Sequence, residues 1–379
     1  MLQLLRIPPC NTMLEEMRPG TFETAIRELH ESNHLLCNVY FFHDIRVICY
    51  TNHPKILSIL DQMLGSFAPP EHVRGELNYY IFCYESALDF PVPLPHTRRR
   101  VDTVRLLTNT RLKHYVSLDN TTEYQSYEAL RPVNGTALSV ISRLEPVVLT
   151  QLEMPEAYYA SFLRRYVFLL APGQALGRYG FEPCHAAAVT APWDSQQGAL
   201  IIGASGSGKT TLSLGCAFAG CGLLGDDLVM LRKKDAGSNI EACAITHEVS
   251  ARSHTLDMLK DLSFLHAYPV DQRNKRYCTI EQVRAGATRF HTSIRLLLFP
   301  SVIEEGASRV TRLSKAGTLR RLLDLCVSRS GDYSHTQEKL FYLLSELAEQ
   351  APGYQLDIAR ETNDGPRLVR SLFAGESYD

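Results

Sequence analysis

The chain has 379 residues and a formal net charge of −2, with 45% hydrophobic and 21% charged residues. A chain of this length can bury a large core and corresponds to about two domains. The balanced charge excludes a generally basic surface of the kind that binds nucleic acid, so we expect no nucleic-acid partner. The sequence also lacks an apolar run of membrane-spanning length, and we expect no membrane partner.

The compartment is predicted from the cysteines and from the first residues. The ten cysteines form no CxxC pair and no Cys/His cluster with zinc spacing, which is typical of a reducing environment. The apolar stretch at residues 1–6 is too short for a signal peptide, and Pro8 and Pro9 follow it closely. We therefore expect a soluble, cytoplasmic protein.

Residues 1–160 are predicted to form an N-terminal α+β region that is rich in strands. Apolar and β-branched patterning predicts strands at 35–42, 45–50, 77–84, 101–107 and 113–118. Helical spacing of apolar residues predicts helices at 54–64 and 156–170. The three consecutive arginines at 98–100 are expected to lie in a solvated loop.

Residues 161–379 are predicted to form a second domain, of α/β type. Strands are predicted at 185–190, 199–202, 223–224 with a continuation at 228–231, 294–299 and 354–358. Helices are predicted at 210–220, 253–262, 315–327, 337–350 and 366–373. The basic stretch through Arg273, Lys275 and Arg276 is expected to be irregular.

The strongest motif is the sequence GASGSGKT at 203–210, which follows a predicted buried strand and opens a predicted helix. Glycines let successive backbone N–H groups point at one anion, and a helix N-terminus adds partial positive charge. In such a loop the lysine reaches the outer phosphates and the threonine hydroxyl ligates Mg²⁺. The predicted nucleotide-binding residues are Gly203, Ala204, Ser205, Gly206, Ser207, Gly208, Lys209, Thr210 and Thr211. The alternative, an ordinary glycine-rich turn, is disfavoured by the strand before the loop and the helix after it.

The second motif is the acidic pair Asp226 and Asp227, which follows the loop by one predicted helix and one short strand. This spacing brings the end of the next strand beside the loop, where a carboxylate can hold Mg²⁺. Adjacent residues of an extended chain point to opposite sides, so the other carboxylate can face a second substrate. A solvated turn is the alternative interpretation. The compact arrangement favours a small kinase over a mechanical nucleotide hydrolase.

These motifs together resemble the catalytic domain of HPr kinase/phosphorylase, and are most similar to its peptide-modifying relatives, including lasso-peptide kinases. The matching segments are 185–189, 203–211, 224–231, 295–300 and 354–356. The loop and the acidic pair are also similar to those of ATP-dependent phosphoenolpyruvate carboxykinase, which has the same P-loop architecture. The resemblance spans about residues 180–375 and does not reach the N-terminal region. It implies a P-loop kinase domain of HPr kinase/carboxykinase type behind an N-terminal mixed, β-rich domain.

The resemblance also implies roles for individual residues. It makes Asp227 the base for the acceptor hydroxyl and Asp226 a metal-supporting residue, although the order of these two roles stays open. The implied catalytic residues are Asp227, His185, Lys209 and Asp226, and the implied Mg²⁺ ligands are Thr210, Asp226 and Glu248. Arg252, Lys275 and Arg276 are candidates for stabilising charge on the transferring group.

The resulting hypothesis is an ATP- and Mg²⁺-dependent kinase that phosphorylates a serine or threonine hydroxyl of a peptide or small protein. In this hypothesis residues 1–160 recognise the substrate and residues 161–379 form the catalytic domain. Two alternatives remain at this point: a small-molecule kinase with the same fold, and a nucleotide-binding regulatory protein without transfer activity. The longer signature that supports phosphorolysis in the bifunctional enzymes is not clearly present, which argues against the reverse reaction. Because the relatives form rings through their catalytic domains, the resemblance also allows self-association into a homo-oligomer.

Overall fold

A computed structural model describes residues 26, 30–31, 35–83, 98–107, 110–117, 122–129, 135–166, 175–235, 237–271, 274–327, 334–360 and 364–376. Nineteen strands are named within these residues, in two large sheets and one small sheet. The first eight strands are β1 (Leu36–Phe42), β2 (Ile45–Thr51), β3 (Gly75–Cys83), β4 (Arg98–Leu107), β5 (Thr110–Ser117), β6 (Thr122–Ala129), β7 (Gly135–Ser142) and β8 (Val147–Glu153). The next eleven are β9 (Phe181–Cys184), β10 (Ala186–Thr190), β11 (Gln197–Ile202), β12 (Gly222–Gly225), β13 (Val229–Lys233), β14 (Ile240–Ala244), β15 (Glu248–Arg252), β16 (Lys275–Thr279), β17 (His291–Ile303), β18 (Arg309–Arg312) and β19 (Gly353–Ala359).

The helices cover the faces of the large sheets. They are α1 (Pro54–Leu64), α2 (Tyr159–Tyr166), α3 (Lys209–Phe218), α4 (Ser253–Met258), α5 (Ile280–Val283), α6 (Lys315–Leu322), α7 (Ser334–Gln350) and α8 (Gly365–Phe373). Short 3₁₀ segments lie at Glu156–Tyr158, Gly177–Tyr179 and Lys260–Ala267, and a π-helical turn at Leu323–Val327. Within the described part of the chain, no helix is both long enough and apolar enough to cross a membrane.

The first sheet has eight strands in the order β1-β2-β3-β8-β7-β6-β5-β4. It is mixed, because β3 pairs in parallel with both β2 and β8 while the other neighbours are antiparallel. Helix α1 begins with Pro54, where the missing N–H is harmless, and His53 caps it by accepting a hydrogen bond from the N–H of Lys55. Its apolar residues recur every three or four positions and are buried against the sheet, among them Ile56, Leu60 and Met63.

The second sheet has nine strands, and its centre positions the candidate site. Strand β11 lies between β10, which is antiparallel to it, and β17, which is parallel. Alternate residues of these strands are buried on opposite faces. One face carries Ala187, Val189 and Ile201 and packs in a cluster with α3 and α8. The other face carries Ala186 and Ile202, in the cluster that also contains α7 and the core of the first sheet.

Most of the predicted elements are confirmed, with shifts of a few residues at their ends. The paired strands around the turn at His43 and the helix at 54–64 are confirmed, as are the strand and the helix that flank the glycine-rich loop. The predicted helices at 253–262 and 315–327 are α-helical only as far as Met258 and Leu322; the first is followed by the 3₁₀ segment from Lys260, and the second continues as the π-helical turn to Val327. Residues 84, 118, 167–170 and 273 of the predicted elements lie outside the described part.

Three predictions are wrong: two segments that were expected to be irregular are strands, and one strand that was expected to continue is interrupted. The arginines at 98–100 belong to β4, which pairs with β5, and do not form a loop. Residues Lys275 and Arg276 lie in β16, because this segment pairs with β15. Strand β13 does not continue β12: it pairs with β9 and β14, whereas β12 pairs with β10. The turn at the acidic pair therefore sends the chain to another part of the sheet.

The fold class is mixed α/β, as predicted at that level. One buried hydrophobic cluster contains residues of both large sheets, including Phe42 and Phe67 from the first part and Phe181 and Phe299 from the second. The domain boundary at 160/161 stays a prediction.

Candidate functional site

The glycine-rich loop connects the end of β11 at Ile202 to the start of α3 at Lys209. Gly206 and Gly208 have φ values of 86° and 94°, which side-chain-bearing residues rarely adopt. A Cβ atom on Gly203 would lie 2.3 Å from Ser207 Oγ, so a side chain here would require the Ser207 hydroxyl to move. The first backbone hydrogen bond of the helix runs from the N–H of Leu212 to the carbonyl of Gly208. The backbone conformation of the loop therefore depends on Gly206 and Gly208.

Lys209 is buried, with 6% of its surface exposed, although it carries a charge. Its Nζ donates hydrogen bonds to the carbonyl oxygens of Gly203 at 2.6 Å and Ala204 at 3.2 Å. The side chain thus folds back along the loop, and the ammonium group lies beside the backbone at the start of the loop. The next three residues of the loop, Ala204, Ser205 and Gly206, are exposed to solvent.

Strand pairing explains why the acidic pair and His185 lie near this loop. Ala186 of β10 pairs with Ile202 of β11, so His185 precedes that pair and Gly203 follows it at one end of the sheet. Gly225, the last residue of β12, pairs with Ala188 of β10. Since β10 is antiparallel to both neighbours, the carboxyl ends of β11 and β12 meet at the amino end of β10.

Asp226 accepts hydrogen bonds only from neutral groups among its described contacts. Thr210 Oγ1 donates to its Oδ2 at 3.3 Å, and Ser250 Oγ donates to the same oxygen at 3.1 Å. The N–H of Ser250 donates to Oδ1 at 3.3 Å. Asp226 is 5% exposed, and this burial raises its pKa to about 6, with the charge of Lys275 acting in the opposite direction. Thr210 thereby links the loop to the acidic pair.

Asp227 contacts two basic side chains instead, Lys275 and His185. Lys275 Nζ donates to its Oδ2 at 3.1 Å, and His185 Nδ1 lies 3.5 Å from its Oδ1. Partial burial by itself would raise the pKa of Asp227, but the nearby charges of Lys275 and His185, with Lys209 farther away, shift it below its ordinary value. Its side chain is 39% exposed, so this carboxylate is reachable from solvent.

Thr211, a predicted nucleotide-binding residue, and Glu248, a predicted Mg²⁺ ligand, have the following described contacts. Thr211 Oγ1 is hydrogen-bonded to Thr255 Oγ1 at 3.2 Å, so its side chain faces α4. Glu248 begins β15, and its N–H donates to Thr246 Oγ1 at 3.3 Å. Because alternate residues of a strand share a face, Glu248 lies on the face that carries Ser250. Within the described residues, no group of three or more His, Cys, Asp and Glu side chains is arranged to hold a metal ion.

Of the three side chains predicted to stabilise charge on the transferring group, one has a described contact with the acidic pair. Lys275 contacts Asp227 directly, whereas Arg276 Nη1 donates to Ser253 Oγ at 3.2 Å and Arg252 is exposed at the end of β15. The sequence did not point to Ser250, which contacts Asp226 and also accepts a hydrogen bond from Lys275 Nζ at 3.1 Å. The available signal was a single hydroxyl between Val249 and Ala251 in a buried strand.

The donor atoms fit a phosphate chain and a hard divalent cation. Ser207 Oγ, within the loop, is buried and has no hydrogen-bond partner, so one hydroxyl remains to be satisfied there. The loop ends at the N-terminus of a ten-residue helix, where backbone N–H groups favour anions. A threonine hydroxyl and a carboxylate are oxygen ligands of the kind Mg²⁺ takes, with phosphate oxygens and water completing its shell. Thr210 and Asp226 supply these two donors.

No family model matches the sequence, and no curated protein matches it either. Among solved structures, a similar chain is the Hpr(Ser) kinase/phosphatase from Coxiella burnetii. The two chains are 13% identical, the alignment covers 51% of this chain and 89% of that one, and the TM-score is 0.29. This similarity is too low to place the chain in that family.

Proposed function

We propose that this chain is an ATP- and Mg²⁺-dependent kinase that transfers the γ-phosphoryl group to a serine or threonine hydroxyl of a peptide or small protein. One observation carries the proposal: two adjacent carboxylates lie at the strand ends beside the glycine-rich loop, and they have different partners. Asp226 is hydrogen-bonded to Thr210 of the loop, whereas Asp227 pairs with Lys275 and His185. A phosphoryl-transfer site needs these two functions, metal support and acceptor activation, at adjacent positions.

The loop would hold the triphosphate. Its backbone N–H groups and the start of α3 would bind phosphate oxygens, and Lys209 would exchange its carbonyl contacts for the outer phosphates. Thr210 and Asp226 would hold Mg²⁺, which when bound supplies positive charge that offsets the charge of the phosphates. The hydrogen bond between Thr210 and Asp226 keeps the two oxygen ligands adjacent.

Asp227 would accept the proton of the acceptor hydroxyl. In this step the hydroxyl oxygen forms a bond to the γ-phosphorus, the bond from that phosphorus to the bridging oxygen breaks, and ADP leaves. The lowered pKa of Asp227 keeps the carboxylate ionised at neutral pH, so it is ready to accept a hydrogen bond from the hydroxyl. Lys275 and His185 fix its orientation from two sides, and Lys275 adds positive charge beside the transferring group.

The exposure of Asp227 favours a peptide acceptor over an enclosed metabolite. Its side chain is 39% exposed and that of the adjacent His185 is 32% exposed, so the acceptor side of the site is open. A hydroxyl carried on a chain can reach such a position, whereas small-molecule sites usually bury most of their ligand. The first sheet, which shares a buried cluster with the second, would recognise the rest of the peptide.

The test is transfer of label from γ-labelled ATP to serine- and threonine-containing peptides. We expect Mg²⁺-dependent labelling by the wild type and a loss of at least about 10²-fold with Asp227→Asn, which keeps the shape of the side chain but removes the base. The control is Asp261→Asn, at an exposed position of a 3₁₀ segment, which we expect to behave as wild type. Equal background labelling by the wild type and Asp227→Asn, with every peptide tried, would contradict the proposal.

A further inference from the structure

Ser250 contacts Asp226 through its hydroxyl and its N–H, and it contacts Lys275 through the same hydroxyl. Its Oγ donates to Asp226 Oδ2 at 3.1 Å and accepts a hydrogen bond from Lys275 Nζ at 3.1 Å. Its N–H donates to the other oxygen of Asp226 at 3.3 Å. The residue is only 4% exposed, so water from the solvent cannot easily take over the hydrogen bonds of its hydroxyl and its N–H. Ser250 therefore connects the carboxylate that faces the loop to the cation that faces Asp227.

The small sheet explains how Ser250 and Lys275 reach the same place. In the antiparallel pairing of β15 with β16, Ser250 lies opposite Tyr277 and Arg252 lies opposite Lys275. Ser250 and Lys275 are thus diagonal neighbours on one face of a two-stranded ribbon, at a distance that a lysine side chain spans. Asp271 holds the start of β16, since its Oδ1 accepts a hydrogen bond from the N–H of Lys275 at 2.8 Å.

We propose that Ser250 is a positioning residue that orients Asp226 for Mg²⁺ binding and keeps Lys275 between the two aspartates. This inference rests on the proposed function, because it assigns Ser250 a role toward the metal of that site. In this role Ser250 would act through Asp226 and would not be a ligand of the metal. It fixes one carboxylate from both oxygens, so that Thr210 and Asp226 present their oxygens together.

Loss of the hydroxyl has a defined consequence. Asp226 Oδ2 would keep the hydrogen bond from Thr210 but lose the one from Ser250. Lys275 would lose its link to the Asp226 side of the site and keep only its pair with Asp227. The Asp226 carboxylate would then rotate more freely, which weakens metal binding without removing a ligand. The effect should appear in the Mg²⁺ dependence of nucleotide binding, before any transfer takes place.

The experiment measures binding of a fluorescent ATP analogue to the full chain during a Mg²⁺ titration. For Ser250→Ala we expect the Mg²⁺ concentration at half-saturation to rise by about 10-fold or more, as for other residues that orient metal ligands. The matched control is Ser139→Ala, which removes an equally buried hydroxyl that is hydrogen-bonded to Thr150 in the first sheet. We expect this variant to keep the wild-type Mg²⁺ dependence.

A second pair of variants guards against a loss of folding in Ser250→Ala. Ser250→Thr keeps the hydroxyl and Ser250→Val replaces it with a methyl group of similar size, so both add the same bulk to the strand. We expect the Mg²⁺ requirement to rise for the valine variant relative to the threonine variant. An unchanged Mg²⁺ dependence in Ser250→Ala, or equal values for the threonine and valine variants, would overturn the inference while leaving the proposed function intact. Nucleotide binding by the wild type that is insensitive to Mg²⁺ would overturn both.

Discussion

Two clusters of buried charge in this molecule are built on different principles. The interface cluster, formed by His43, Asp44, Phe181, Arg232 and Glu241, lies where the first sheet meets the second. Arg232 is 4% exposed, and its Nη1 and Nη2 donate to Asp44 at 2.6 Å and to Glu241 at 3.5 Å. Its guanidinium also lies 4.6 Å from the centre of the Phe181 ring. The buried cation here has two carboxylate partners.

The strand-end cluster is formed by Thr210, Asp226, Asp227, Ser250 and Lys275. Its two carboxylates have different kinds of hydrogen-bond donors. One lysine lies beside two carboxylates, and Asp226 is left with hydroxyl and N–H donors. The pKa of Asp226 is raised by burial while that of Asp227 is lowered by its cations. This difference suggests that the interface cluster serves stability, whereas the strand-end cluster is suited to receive a cation and a proton. Each prediction below tests one side of that comparison.

Lys209→Met should have the largest effect, and only on function. The ammonium group donates to the carbonyls of Gly203 and Ala204, which are both within the loop, so its removal acts on the loop. We expect transfer to fall by about 10²–10³-fold, the loss usual for one charge-stabilising donor, with little change in Tm. Labelled-ATP transfer and thermal unfolding measure the two effects, with the exposed Lys260→Met as the control. A large fall in Tm with normal activity in the remaining folded protein would reverse the assignment.

Arg232→Met should have the opposite profile. It leaves Asp44 and Glu241 beside a buried position without their cation, and breaking a buried pair in this way costs about 3 kcal/mol of unfolding free energy. We expect a lower denaturation midpoint with unchanged transfer per folded molecule. Arg295→Met, at an exposed position of β17, is the matched control and should be close to neutral. If Arg232→Met instead lowered activity while leaving stability unchanged, the interface cluster would belong to the site.

The sequence was informative where local patterns determine structure. The glycine-rich loop, its flanking strand and helix, and the acidic pair were all predicted, because glycine spacing and apolar runs are local signals. The pairing of β15 with β16 was not predicted. It joins segments separated by α4 and a 3₁₀ segment, and neither strand has a strongly apolar pattern. Ser250 was missed for this reason, since its partners Asp226 and Lys275 reach it only through that non-local pairing.

Glu182→Gln tests whether the buried carboxylate of Glu182, next to the interface cluster, lacks a cationic partner strong enough to offset its burial. Glu182 follows Phe181 in β9 and is 5% exposed, and burial raises its pKa from 4.5 to about 7, with only a partial offset from the charge of Lys339. As the pH rises, Glu182 ionises at a lower pH in the unfolded chain than in the folded protein. The free energy of unfolding of the wild type should therefore fall between about pH 4.5 and 7. Glutamine stays neutral, and we expect this variant to be more stable than wild type by about 3 kcal/mol at pH 8 and equal to it below pH 4.

The measurement for Glu182→Gln is chemical unfolding of both proteins across this pH range. His43, whose pKa is lowered to about 4 by burial, contributes a pH dependence of opposite sign, but it does so in both proteins and cancels in their difference. Parallel stability curves for the two proteins would show that Glu182 keeps its ordinary pKa in the folded state.

Ser207→Ala should have the smallest effect. It tests whether an unpartnered polar atom of the loop has a role in binding that the unpartnered atom of the interface cluster lacks. Ser207 Oγ is buried without a hydrogen-bond partner, and so is Arg232 Nε. Removing an unsatisfied hydroxyl should raise the stability of the nucleotide-free protein by up to about 1 kcal/mol. If the hydroxyl serves the phosphate chain, saturating ATP and Mg²⁺ should raise the Tm of this variant by less than they raise that of the wild type. Equal increases in Tm would mean that the Ser207 hydroxyl only fills space against Gly203, and that Lys209 and the backbone of the loop carry the contacts with phosphate.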